Sequence, residues 1–193
     1  MPFKTLYNRR QAEAERLPLS WYVDDANELS WAFNSIQIKR TTALPKSHLR
    51  GMIINHPPGF MPLSEPSPYT IFIAAGLTPE MERFVLIKEL MHVYFGPGGT
   101  YATDSQVTLE NHMQEMFANS ADIKSHQYEA EKLALWMAIS VLTPETNREA
   151  FRDNVASATM SFEDVAAQLR IPVHTAKALL SEQYRSEISN ILE

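Results

Sequence analysis

The stretch from Arg83 to Phe95 reads Arg-Phe-Val-Leu-Ile-Lys-Glu-Leu-Met-His-Val-Tyr-Phe and stops at Gly96-Pro97-Gly98-Gly99. Past its first residue, only Lys88, Glu89 and His92 carry a charged or imidazole side chain. At about 100° per residue the three share one narrow stripe, with Lys88 and His92 one turn apart. The pattern differs by one residue from His-Glu-x-x-His, in which two imidazoles on one helix face bind zinc and the glutamate polarises the metal-bound water. His92 supplies one such ligand, Glu89 stands in the water-activating position, and Lys88 occupies the place of the first imidazole. A third ligand has to come from another helix. Glu131 stands on the next long helical stretch, with Glu129 two residues before it. The same three polar residues also fit the wet face of an amphipathic helix, so spacing alone leaves both readings open.

Composition bounds the chemistry. The chain has 193 residues, 45% of them hydrophobic, which is enough for one ordinary domain core, with or without a small appendage. It has no cysteine, so a disulfide framework and a thiolate metal site are both excluded. Any metal would rest on His and carboxylate ligands. A formal charge of −6 argues against general nucleic-acid binding. The amino terminus, with Arg9 and Arg10 and no apolar core segment, does not read as a signal peptide. The longest apolar run, Leu133 to Leu142, is too short to span a bilayer. The expectation is a soluble, cytoplasmic protein.

The elements that must position these residues follow from periodicity and punctuation. Residues 1–16 are polar and helix-prone, a docking helix or a loose arm. Leu17-Pro18-Leu19-Ser20 opens a helix that the apolar spacing of Tyr22, Ala26, Leu29, Ala32 and Phe33 carries to about Phe33. Ile36–Lys39 and Gly51–Ile54 read as short strands, and Tyr69–Ile73 is the best strand candidate. Pro57, Pro58, Pro62, Pro66 and Pro68 make the segment before it a surface loop. Thr78-Pro79-Glu80 opens the central helix, with proline in the first turn and acid facing the dipole. Leu109–Asn119 reads as a short helix of weak register, and a longer helix runs from about Ser125 to Leu142, ending at Thr143-Pro144. Ser161-Phe162-Glu163-Asp164 caps a helix to Leu169, and after a break at Ile171-Pro172 another runs to the C-terminus. The predicted class is α+β: a small antiparallel sheet, a central buried motif helix, then a helical C-terminal half.

From Leu17 to Leu179 the chain resembles the ImmA/IrrE family of zincin-like metallopeptidases. That family's core motif, Arg-Phe-Thr-Leu-Ala-His-Glu-Leu-Gly-His, is similar to Arg83 through His92 without a gap. Its opening Leu-Pro helix before a short strand looks like Leu17-Pro18-Leu19-Ser20 through Ile38. Its second motif is similar to Glu131, Ala134, Met137-Ala138, Leu142 and Pro144 in register, and its late helix-turn-helix-like tail to Val165–Leu169 and Ile171-Pro172-Val173. The resemblance implies a zincin-like fold over residues 17–150, an arm or helix over 1–16, and a helical tail over 151–193. It also implies that Glu131, rather than Glu129, takes the third-ligand position, and that the protein works in transcription regulation, in bacteria and mobile elements, beside helix-turn-helix repressors.

Three departures bear on that expectation: Lys88 replaces the first His ligand, Met91 the family's glycine, and Leu135 its usual Asn or Asp. An ammonium has no lone pair to give, and deprotonating it at neutral pH costs roughly 4–5 kcal/mol from a reference pKa of about 10.4. Lys88 lies where it reaches Glu131 or Glu89, so an ion pair Lys88–Glu131 takes the place of the metal as the cross-link between two helices. The first expectation is a pseudo-peptidase without cofactor that binds a regulatory protein partner. The alternative is a zinc endopeptidase with a variant ligand set, His92 and Glu131, and Glu89 as base, cleaving a repressor. A third reading is a DNA-binding regulator acting through the tail. From Ser161 to Glu193, five acids against three bases argue against direct nucleic-acid binding. His112 with Glu115 and His126 with Glu129 have i, i+3 spacing that any polar helix shows by chance. His48 and His56 read as solvated loop residues, and Trp21, Trp31 and Trp136 as packing residues.

Overall fold

Tyr69–Ala74 (β3) is the strand around which the sheet forms, because it alone is apolar on both faces. Tyr69, Ile71 and Ile73 point one way and Thr70 and Ala74 the other, all buried. The structure is a computed structural model in which residues 2–29, 36–45, 50–55, 69–95 and 126–193 are described. The Pro-rich segment 57–68, the expected helix at 109–119, and His48, His56, His112, Glu115 and Trp31 lie outside them.

Ile36–Thr41 (β1) pairs with β3 in parallel, Ile38 opposite Ile71, and Gly51–Asn55 (β2) pairs with it antiparallel, Ile53 opposite Ile71. The strand order is β1-β3-β2, so the sheet is mixed rather than antiparallel as expected. The reason is topological. Strands that reverse direction twice leave the first and third pointing the same way, and here the third lies between the other two. After β3 the chain turns through Gly76, whose φ of 77° is the left-handed conformation that glycine adopts without a Cβ penalty.

Pro79–Met91 (α3) then lies on β2 and β3. The side chain of Thr78 accepts a hydrogen bond from the Met81 amide at 3.3 Å, Pro79 fills the first turn where no N–H is needed, and Glu80 and Glu82 face the dipole. Phe84, Val85, Leu86, Ile87, Leu90 and Met91 are buried around the whole circumference. A 3-10 turn, His92–Phe95, continues it.

The amino-terminal segment is a docked helix. Pro2–Gln11 (α1) buries Phe3, Leu6 and Arg10, with Phe3 edge-on to Tyr94. Leu19–Asn27 (α2) ends before the expected Phe33, and Asn27 Oδ1 accepts the Ile36 amide of β1 at 3.0 Å; Ala32 and Phe33 lie outside the described residues. His126–Ser140 (α4) packs along α3. Its terminal carbonyls are capped from afar: Arg10 donates to Val141 O at 2.8 Å and Leu142 O at 2.9 Å, and Tyr22 donates to Val141 O at 2.8 Å.

Four helices follow α4, two more than the sequence reading placed there. Glu145–Ala156 (α5) was not anticipated, although Pro144, Glu145 and the spacing of Arg148, Phe151 and Val155 carry the signal. Arg148, fully buried, pairs with both oxygens of Glu145 and stacks over Tyr184. Phe162–Leu169 (α6) opens with the reciprocal capping box of Ser161 and Asp164. The expected last helix is two, Val173–Leu179 (α7) and Gln183–Leu192 (α8). Both pack on α4, and Val165, Leu169, Ala176, Leu179, Tyr184 and Ile188 join the same core cluster as Phe3 and Leu90. The molecule is thus α+β, mostly helical, with one small sheet. Among the described residues no helix is long and apolar enough to cross a membrane.

Candidate functional site

Helix α3 turns Lys88, Glu89 and His92 toward α4, and α4 brings Glu131 to meet them. Lys88 Nζ lies 3.1 Å from Glu89 Oε1 and makes a short contact with Glu131 Oε2. The other Glu131 oxygen, Oε1, is 3.2 Å from His92 Nε2. Glu131 therefore spans an ammonium and an imidazole, and Glu89 closes the group from below. Glu89 and His92 are 2% and 1% exposed, so the site keeps its contact with water only through Lys88 and Glu131. Glu129, the other carboxylate weighed as a third ligand, is exposed to solvent. The side chain of His126 lies outside the described residues.

Charge balances across the two helices. Burial alone would lower the Lys88 ammonium, but Glu89 and Glu131 outweigh it and raise its pKa above the ordinary lysine value. Burial would likewise raise the Glu131 carboxyl, yet Lys88 and His92 hold it well below the usual carboxylate range. Both groups are thus charged at neutral pH. Two acids, Glu89 and Glu131, face the one ammonium of Lys88.

The edge strand contributes through absence of a side chain. A Cβ on Gly51 would lie 2.4 Å from Val85 Cγ1, 2.9 Å from Glu89 Cγ and 3.0 Å from Glu89 Oε1. Only glycine lets β2 come this close to α3, and this approach is what seals Glu89 from solvent. Its sequence signal, a lone glycine at the start of a strand, is real but says nothing of what it faces.

The motif invites a test against zinc. In favour of a metal, Nδ1 of His92 is buried without a hydrogen-bond partner among the described residues, while Nε2 faces Glu131 Oε1 at 3.2 Å. Against it, the ammonium of Lys88 stands in the position of a ligand and holds the Glu131 oxygen that a metal would need. The two carboxylates that raise the lysine's pKa make its deprotonation harder still. Two protein ligands remain where a catalytic zinc site uses three. Among the described residues no group of three or more His, Asp or Glu is arranged to hold a metal ion. Among the described residues, Lys88, His92 and Glu131 do not by themselves make a three-ligand catalytic zinc site.

Compared with protein-family models, with curated proteins and with solved structures, the chain matches none.

Proposed function

We propose that the chain is an ImmA/IrrE-like pseudo-peptidase: a metallopeptidase-like scaffold that binds a regulatory protein and does not cut it. The observation that carries the reading is the Lys88–Glu131 contact between α3 and α4. A metal in such a scaffold binds one helix to the next through His and Glu ligands. Here a cation that is part of the chain does the same, needing no ion from solution. The partner is of the kind the resemblance implies, a helix-turn-helix repressor among them. The tail helices are a less apt DNA surface, because their apolar residues are committed to the core against α4.

Metal analysis of the purified chain and of a Lys88→His variant tests this. The expected outcome is no stoichiometric zinc in the wild-type chain and about one zinc per chain in the variant. Stoichiometric zinc in the wild-type chain, lost in His92→Ala, would instead establish the alternative. That alternative is a metal-dependent endopeptidase using His92 and Glu131 with Glu89 as base, and the facing of His92 Nε2 and Glu131 Oε1 at 3.2 Å, the two ligands it needs, is the observation on its side.

A further inference from the structure

A second cluster of charge lies at the other end of α3. Between the start of α2, the start of α3 and the turn after α6 is a cavity of about 630 Å³, into which Arg16, Arg83 and Arg170 converge. The only acid in its lining is Glu82, and Glu82 already has a partner: Arg40 of β1 donates to Glu82 Oε1 through Nε at 3.0 Å and through a second nitrogen. Neither Arg16 nor Arg170 pairs with a carboxylate among the described residues. Arg83 gives one nitrogen to Leu17 O at 2.8 Å, but its Nε is buried with no hydrogen-bond partner. In a chain of net charge −6, three guanidinium groups line one cavity with little carboxylate to balance them, two of them exposed to solvent.

Two local features add to it. Helix α2 starts from Pro18 with no side-chain cap, so its positive end is open at the wall formed by Leu19. Arg170 closes α6 at φ 54°, a left-handed position where glycine is the usual and unstrained residue. Burial lowers the pKa of Arg83; Tyr22 opposes this, and the nearby charges of Arg16, Arg10 and Arg170 add to it.

We propose that this cavity binds a small organic phosphate of nucleotide size, its phosphate groups on Arg16, Arg83 and Arg170 and its body against Leu17 and Leu77. Guanidinium forks match phosphate oxygens in bidentate geometry, and each such bond is charge-assisted. The volume falls in the range of roughly 300–1,000 Å³ common to small-molecule sites. The apolar wall has no use for a bare anion but suits a base or sugar attached to one. Arg83 belongs to the helix that carries Lys88, five residues further on, so the ligand would dock on the same helix as the ion-pair site without touching it.

Titration calorimetry and thermal unfolding at fixed ionic strength, with inorganic pyrophosphate, ADP and adenosine as probes, test the proposal on the full chain. Pyrophosphate and ADP should bind one site, ADP more tightly, with a Kd of roughly 100 µM or lower, and adenosine alone should not bind. The variant R16A/R170A replaces two exposed residues and should keep its unfolding temperature while weakening ADP roughly tenfold or more. R185A, which removes an exposed arginine elsewhere, should leave ADP affinity unchanged. If neither pyrophosphate nor ADP binds saturably, or if R16A/R170A and R185A behave alike, the cavity is not an anion site.

Discussion

Replacing Lys88 by methionine removes the cation and leaves Glu89 and Glu131 in a setting built around it. Breaking a buried pair in this way costs about 3–5 kcal/mol when both partners are dry. Lys88 and Glu131 keep 20% and 29% of their side chains exposed, so about 2–3 kcal/mol is the expected loss in urea unfolding. In a Glu131→Gln background the same substitution should cost about 1–2 kcal/mol less, and additive effects would show that the two residues do not act as a pair. The pH dependence has a definite sign. Glu131 is held below its ordinary range, so its contribution is present above about pH 4.3 and is lost as pH falls toward the folded value. Lys88 is raised, so its contribution is full below about pH 10.4. The stability gap between wild type and Lys88→Met should be flat from about pH 5 to pH 9 and narrow below about pH 4. Of this site, the stripe of 88, 89 and 92 was legible because helical spacing alone places it. The next long helix offered Glu131 and Glu129 alike as partners, and only the resemblance's register chose Glu131; its approach to Lys88 is in no spacing.

Gly51 shows how an element can be placed by what it lacks. Adding one methyl group there meets Val85 and Glu89 at 2.4 and 2.9 Å, so β2 and α3 must separate. Gly51→Ala should destabilise the fold by about 1–3 kcal/mol, and Val85→Ala added to it should recover part of that loss. A cost below about 0.5 kcal/mol by chemical denaturation would mean that the strand and helix are not held so tightly. The start of α3 was legible in Thr78, Pro79 and Glu80, since caps are local chemistry. The order of the strands was not. Alternation in Ile36–Lys39 and the β-prone run Tyr69–Ile73 mark each as a strand and are silent about which lies in the middle. Helix α5 had its signal in Pro144, Arg148 and Phe151, and the polar residues between them hid it.

At the scale of the whole molecule, α1 is joined to the far end of α4 through one side chain. Arg10 is fully buried and makes no ion pair among the described residues, and its charge rests on the carbonyls of Val141, Leu142, Ala14 and Glu15 at 2.7–2.9 Å. Two of these follow the last turn of α4, where the helix dipole favours a cation. A lysine cannot present a planar fork to four acceptors, so Arg10→Lys should cost about 2–4 kcal/mol in thermal or urea unfolding despite keeping the charge. A loss under about 1 kcal/mol would show that charge alone suffices. Nothing local announces the link to α4, because Arg10 sits in a polar stretch and its acceptors there, Val141 and Leu142, lie more than a hundred residues away. The position of β3 between β1 and β2 has a further consequence, in the order of synthesis. The two outer strands leave the ribosome first and have no ladder to make with each other. Residue 36 waits for residue 69 and residue 51 for residue 73. Closing such long loops is slow, and the nascent chain carries two bare strand edges until Ala74 emerges. The ladder between the three strands can form only once β3 is present, and α3, which covers its face, follows directly in sequence.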